Sequence, residues 1–561
     1  MNSPHFNSLI IILGLVLVSA FVSQAQTIES VIKAKPFDIT GSIGGNLGLY
    51  SVDGIEDRTS PFQYGLTARL TFKVYGISIP LYASIRDNAY NYGGSFSRLR
   101  ISPEYKWVKL HLGDTYLKFN PYTLNGRTVN GYGISLTPGK FRFSALRGKI
   151  EDLRSYQDSL LLGTTFTPTY SRKVNAVSVG FGTSSTYFDL YAVNSSDRLD
   201  SLNGEVVLEE YTRQSNTVVG STLALKLMRG LRFRTNFGVS VQTDNLDSFG
   251  DNTIFGSNSL TGNLAETNFS SRLMYAGDVG LTYAHRLFSV NGKVKYIQPY
   301  FQPLTVAFLN SDILNYTIGG STGFFKRRLN VSGSVGIQKN NLSGQKLSTS
   351  RNFIMNLASN FKLSKSINGT FTYTNFTQDF EARLIQINDL YTYAVNSNVL
   401  TGSMRYTIKS GNTNYRISVR GGSNGFVTVD DSEESLVAYD SWNSGLTIGR
   451  NDTDINLNIT SSLTYRKYNR ATGTLANYGI RLNGSKGFMD SKLSFNANTS
   501  FIYNDRNDLR EGTTWRNGVS ANYRLDKKSN IGLRLNQIRR TSTISNDFSE
   551  LRTGVQYQYS F

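Results

Sequence analysis

Apolar and polar residues alternate along this chain in runs of roughly ten residues, and each run predicts a β-strand with two different faces. Leu231, Phe233, Thr235, Phe237, Val239 and Val241 alternate with Arg232, Arg234, Asn236, Gly238 and Ser240. Leu329, Val331, Gly333, Val335 and Ile337 repeat the pattern, as do Ile455, Leu457, Ile459, Ser461, Leu463 and Tyr465. Further copies run through Leu493–Tyr503 and Trp515–Leu525. Successive side chains on a strand point to opposite faces. Each run therefore presents one apolar and one polar surface.

The connections alternate in length. Short ones fall at Tyr75-Gly76, Thr137-Pro138-Gly139, Arg229-Gly230, Ser364-Lys365, Gly411-Asn412 and Lys527-Lys528. Longer ones are expected near 150–171, 195–214, 244–270, 299–312, 378–395 and 426–435. Long amphipathic strands with short turns at one end and long loops at the other are the signature of a transmembrane β-barrel. Counting from Asp38 gives an all-β, antiparallel up-and-down barrel of about 26 strands, within a range of about 24 to 28. An even count puts both termini in the periplasm. A solenoid would show a fixed repeat length with stacked similar residues, and a tandem sandwich shorter strands around a common core. The chain shows neither.

The amino terminus reads differently. Met1–Asn7 is polar, Leu9–Val22 is almost unbroken apolar sequence, and Ser23-Gln24-Ala25 precedes a plausible cut at Gln26. This predicts a secretory signal peptide over 1–25, although its first residues lack Lys and Arg. The alternative is an uncleaved anchor. A short periplasmic segment over 26–37 and the barrel over 38–561 would follow. Mean hydropathy of −0.28 suits a barrel, in which lipid-facing and lumen-facing residues cancel. The chain has no cysteine, so a disulfide framework, a thiolate metal site, a cysteine nucleophile and a lipidated cysteine are all excluded. The formal charge is +19. Export and the scattered placement of the basic residues argue against a nucleic-acid partner.

Val555, Tyr557, Tyr559 and the final residue Phe561 alternate with Gln556, Gln558 and Ser560. This ending resembles the carboxy-terminal signal read by the barrel-assembly machinery. The whole mature chain resembles outer-membrane barrels of unassigned function from Gram-negative bacteria that use type nine secretion. The stretch Gly113-Asp114-Thr115-Tyr116, then Gly126 and Gly139-Lys140-Phe141-Arg142-Phe143, carries that likeness. The resemblance implies a class and no particular activity. TonB-dependent transporters fit poorly, because they carry a long amino-terminal plug and strand-like sequence here begins near Ile39. The lipopolysaccharide translocon carries a periplasmic domain for which this chain has no room.

Candidate chemistry is sparse. Of three histidines, His5 lies in the signal peptide, His285 falls on an apolar face, and His111 is expected to point inward. A hydrolase needs a nucleophile held beside a base, and no motif sets a serine against His111. The chain is therefore read as a non-enzyme with no cofactor. Asp430, Asp431, Glu433 and Glu434 crowd one loop, which suits either a calcium site or plain solvation. The 33 Tyr and 33 Phe fit aromatic girdles better than a sugar-stacking surface.

The lumen is the more informative surface. Parity points Arg69, Lys73, Arg232, Arg234, Lys293, Lys295, Arg416 and Arg420 inward, together with Arg86, Arg98, Arg100, Arg142, Arg466, Arg524 and Arg534. Such residues would favour anions, unless they merely pair with acids or meet the membrane interface. So wide a barrel cannot stand permanently open, so either long loops fold inward or another protein fills it. The expected function is a porin-like channel for anionic or sugar-like solutes. The alternative is a non-enzymatic barrel subunit of a secretion or assembly complex, filled by loops or by a plug or lipoprotein partner. Lipid and lipopolysaccharide of the outer membrane are expected partners.

Overall fold

The computed structural model describes residues 36–86, 96–151, 170–198, 212–249, 267–382, 393–430, 435–470 and 473–561. The expected signal peptide and the whole of 431–434, with Asp431, Glu433 and Glu434, lie outside them.

The strands form one continuous sheet, described in three consecutive stretches of chain. The first holds β1 (Phe37–Asp53), β2 (Phe62–Val74), β3 (Ile77–Arg86), β4 (Phe96–Ile101), β5 (Glu104–Tyr105), β6 (Val108–Thr115), β7 (Val129–Leu136) and β8 (Phe141–Glu151). The second holds β9 (Arg172–Gly182), β10 (Tyr187–Asp197), β11 (Ser215–Met228), β12 (Leu231–Thr243), β13 (Ser271–Ala284), β14 (Phe288–Ile297) and β15 (Ile313–Phe324). The third begins with β16 (Leu329–Lys339), β17 (Ser348–Lys362), β18 (Ile367–Ala382), β19 (Tyr393–Ser410), β20 (Thr413–Asp430) and β21 (Ser435–Asp452). It ends with β22 (Leu457–Arg470), β23 (Gly473–Phe488), β24 (Leu493–Arg506), β25 (Leu509–Arg524), β26 (Ser529–Ser542) and β27 (Phe548–Ser560).

Each strand pairs antiparallel with its chain neighbours, and β27 pairs with β1 from Ser42↔Ser560 to Asp53↔Ser549. The sheet therefore closes on itself and has no edge to protect. β4 and β5 share one place between β3 and β6. The break falls at Ser102-Pro103, where proline offers no N–H to the ladder. The result is a closed barrel of 26 spans, as the alternation predicts.

The two faces also agree with the sequence. Phe237, Ile337, Leu463, Phe501 and Trp515 are exposed on the outside. Their immediate neighbours in the chain face the lumen. A closed barrel with an apolar exterior satisfies every backbone group internally and can sit in hydrocarbon. The short turns all fall at one rim. At the other rim the strands reach further than expected. β18 continues to Ala382 and β19 starts at Tyr393, while β20 continues to Asp430 and β21 starts at Ser435. The loops expected over 378–395 and 426–435 are correspondingly shorter, because the alternation persists into them.

Candidate functional site in the barrel lumen

Two connections at the long-loop rim turn into the barrel. Residues 116–128 join β6 to β7, and residues 298–312 join β14 to β15. They meet in a parallel bridge between Asn125 and Val306. The Ala307 N–H donates to the Asn125 carbonyl at 2.9 Å, and the Thr305 hydroxyl donates to the Thr123 carbonyl. The first segment was absent from the long connections expected from sequence, yet it packs into the lumen.

Its hold on the wall is both apolar and polar. Leu124 is fully buried among Val129, Leu146, Val174, Ala176 and Val193. Tyr122 packs with Met274, Ala276, Ile297 and Phe301, its ring edge-on to Phe301 at 6.2 Å. The Asn120 amide donates to the Ser221 and Phe237 carbonyls at 3.2 and 3.0 Å. Two glycines of the wall make the approach possible. A Cβ at Gly220 would stand 2.5 Å from Thr123 Cγ2, and one at Gly238 would stand 2.7 Å from Tyr122 Cβ. Any larger residue there would push the segment back into the lumen.

The sequence carried a faint signal for this contact. Val174, Ala176, Val193 and Val218 are apolar at lumen-facing positions, where the rest of the barrel is mostly polar. A strand apolar on both faces is buried on both. Here the second cover is the chain's own inward segments.

Asp278 joins the inward segment to the basic wall. Its carboxylate accepts from Tyr122 Oη at 2.7 Å and Asn236 Nδ2 at 3.1 Å, and lies 3.2 Å from Lys293 Nζ. Burial, then the Asp278 hydrogen bond and charge, push the Tyr122 phenol well above its ordinary range. It therefore stays a proton donor. Adjacent rows of the ladder run Arg234–Gly280–Lys293 and Asn236–Asp278–Lys295. The structure thus brings Arg232 and Arg234 on β12 and Lys293 and Lys295 on β14 to either side of β13, which carries the acid. Alternation alone does not show that acid to be their partner.

The remaining predicted residues spread around the lumen. The Arg69 guanidinium lies 5.7 Å from the Tyr82 ring and that of Arg100 lies 5.8 Å from it, while Lys73 sits at the short-turn end of β2. Arg142 pairs with Asp189 at 2.7 Å. Arg416 and Arg420 are exposed to the lumen on β20. Arg420 shares a cavity of about 570 Å³ with Arg466, Arg481 and Arg516. The first two were expected by parity. Arg481 and Arg516 were missed, although their strands alternate as clearly as the others.

Val555 and Tyr557 face outward on β27, and the Tyr559 and Phe561 rings meet edge-on at 4.9 Å. His111 points inward, and its Nε2 lies 3.0 Å from the Ser135 hydroxyl, a neighbour the sequence did not reveal. Ser135 also bonds Ser144 at 3.0 Å. This chain ties β6, β7 and β8 together, and the described residues place no carboxylate on the imidazole to orient it as a base.

No protein-family model matches the chain, and no curated protein matches it. Solved structures resemble it at a distance. BauA, the ferric preacinetobactin receptor of Acinetobacter baumannii, is 9% identical with a TM-score of 0.40, over 93% of this chain and 81% of that one. The ferric citrate transporter FecA in its unliganded form is 9% identical with a TM-score of 0.40, over 94% and 79%. The P pilus usher PapC translocation pore is 9% identical with a TM-score of 0.36, over 93% and 99%. At this level nothing about solute or partner passes from those proteins to this chain.

Proposed function

We propose that the chain is an outer-membrane barrel that serves as a channel for anionic or sugar-like solutes, narrowed by two of its own segments. The supporting observation is the difference between its two walls. Lumen-facing Val174, Val193, Val218 and Ser240 on β9 to β12 are at most 1% exposed, and Leu124 of the first inward segment packs on Val174 and Val193. Lumen-facing Arg416, Arg420, Arg466, Arg481 and Arg516 on β20 to β25 are all exposed. Among the described residues the filling is one-sided, which leaves a polar, basic passage along the other wall. A channel of this width needs such a restriction, since barrels of 16–18 strands already enclose water. The anion preference follows from the exposed guanidinium groups and from the focusing of their field by low-dielectric walls.

Planar-bilayer recording on the purified protein, its fold checked by heat-modifiable migration, tests the reading. Stable conductance steps with a reversal potential on the anion side of zero in a salt gradient are expected. A silent barrel that co-purifies with a lumen-filling protein or lipoprotein would overturn it in favour of a secretion or assembly subunit.

A further inference from the structure

Among the described residues, the arginines of the open wall lack the carboxylate partners that Lys293, Arg142 and Arg172 have. Arg420, Arg466, Arg481 and Arg516 come from four strands, β20, β22, β23 and β25, and line one cavity of about 570 Å³. None of its lining residues is acidic, and among the described residues none of the four arginines pairs with a carboxylate. Elsewhere in the lumen Lys293 has Asp278, Arg142 has Asp189 and Arg172 has Asp197. Guanidinium groups stay charged under all ordinary conditions. Four of them around one cavity repel one another until an anion enters.

Register divides them into two cradles. Arg481 and Arg516 flank Ser500 in a single row. Their Cα atoms stand about two strand spacings apart, roughly 10 Å, so both guanidinium groups can reach one phosphate or carboxylate between them. Arg420 forms the second cradle. It pairs with Gly445, which pairs in turn with Thr464, and its Nη2 lies 3.8 Å from where a Gly445 Cβ would stand. The missing side chain leaves room for the guanidinium over that strand, and on the next strand the Arg466 guanidinium donates to Tyr468 Oη at 3.1 Å. Arg466 is itself flanked in register by Asn443 and Asn477. Their amides supply both donors and acceptors suited to hydroxyl groups.

We infer that this wall is a binding site for a hydroxylated solute carrying two anionic groups, such as a sugar bisphosphate. One charged group sits in each cradle and the hydroxyls lie against the asparagines. The inference rests on the channel reading and names its solute class. Arginine forks suit phosphate and carboxylate through paired hydrogen bonds, and the four arginines are spread from β20 to β25, so one small anion does not satisfy them all.

The test uses the full barrel in detergent and needs no conduction. Fructose 1,6-bisphosphate is titrated calorimetrically, with fructose 6-phosphate as the singly charged-group comparison. Saturable binding of the bisphosphate is expected, at least tenfold tighter than the monophosphate. The double variant R481Q/R516Q should weaken it at least tenfold. K326Q/R328Q, which removes the same charge at a distant turn, should leave it within twofold. Heat-modifiable migration confirms that both variants fold. Absence of saturable binding, equal affinity for both sugars, or equal loss in both double variants overturns the site. Binding by a barrel that proves silent in bilayers keeps the site and removes only the channel reading. Conductance without binding does the reverse.

Discussion

Tyr122 and Asp278 are 156 residues apart in the chain, yet the phenol donates to the carboxylate at 2.7 Å. Through that bond the segment 116–128 is fastened to the same acid that partners Lys293. The position of the filling and the charge of the wall are therefore linked at one atom group.

Replacing Tyr122 by Phe keeps the ring against Phe301 and removes this bond. Hydrogen bonds to charged groups contribute about 1.5–3 kcal/mol. Backbone amides of residues 119–124 should therefore exchange roughly tenfold faster or more, read by hydrogen-exchange mass spectrometry. Unchanged protection would show that apolar packing alone holds the segment. The phenol's raised pKa fixes the sign of the pH effect. A group raised in the fold contributes fully below its unfolded value and loses that contribution only above its folded one. Protection in the native protein should thus be flat through about pH 10, where an ordinary phenol ionises.

Asp312 behaves in the opposite sense. It accepts from the Asn341 and Leu342 amides at 2.9 and 2.7 Å and pairs with Lys346 at 2.6 Å. Burial pushes its carboxyl up, but the Lys346 hydrogen bond and the two amides outweigh it and hold the carboxyl below the usual range. Its contribution is present above the ordinary carboxylate pKa near about 4 and is lost as pH falls through the lower folded value. The clamp between segments 298–312 and 340–347 should hold at neutral pH and loosen only below about pH 4. Exchange at Asn341 and Leu342 across an acid series checks this. Loosening already at about pH 6 would contradict it.

Changing Arg232, Arg234, Lys293 and Lys295 together to Gln should leave insertion intact, because a wet lumen tolerates polar residues. Asp278 then remains without a cation. The reversal potential should move toward cation preference by more than in R232Q/R234Q alone, where Lys293 still faces Asp278. An unmoved potential in a conducting barrel would place these residues outside the permeation path.

Replacing residues 117–125 by a short Gly-Ser linker should enlarge the conductance step. It should also lower stability to urea, because Val174, Ala176 and Val193 lose their cover and apolar burial is worth about 25 cal/mol per Å². A variant with an unchanged step would mean that the segment does not border the conducting path.

Much of this molecule was legible in the chain. Alternation with a period of two reports which face each side chain takes, and Arg232, Arg234, Arg416 and Arg420 follow from that alone. The turns at Tyr75-Gly76 and Arg229-Gly230 were legible from glycine, and the count of about 26 strands from the spacing of such turns. These are local properties, fixed by backbone geometry within a few residues. The filling of the lumen was not legible, because it rests on contacts between distant residues. Tyr122 with Asp278, Thr123 over Gly220 and Leu124 beneath Val193 exist only once closure has curved the sheet around them. The arginine cavity has the same origin. Parity points Arg420, Arg466, Arg481 and Arg516 inward one by one. Only the register of six consecutive strands decides that they share one space.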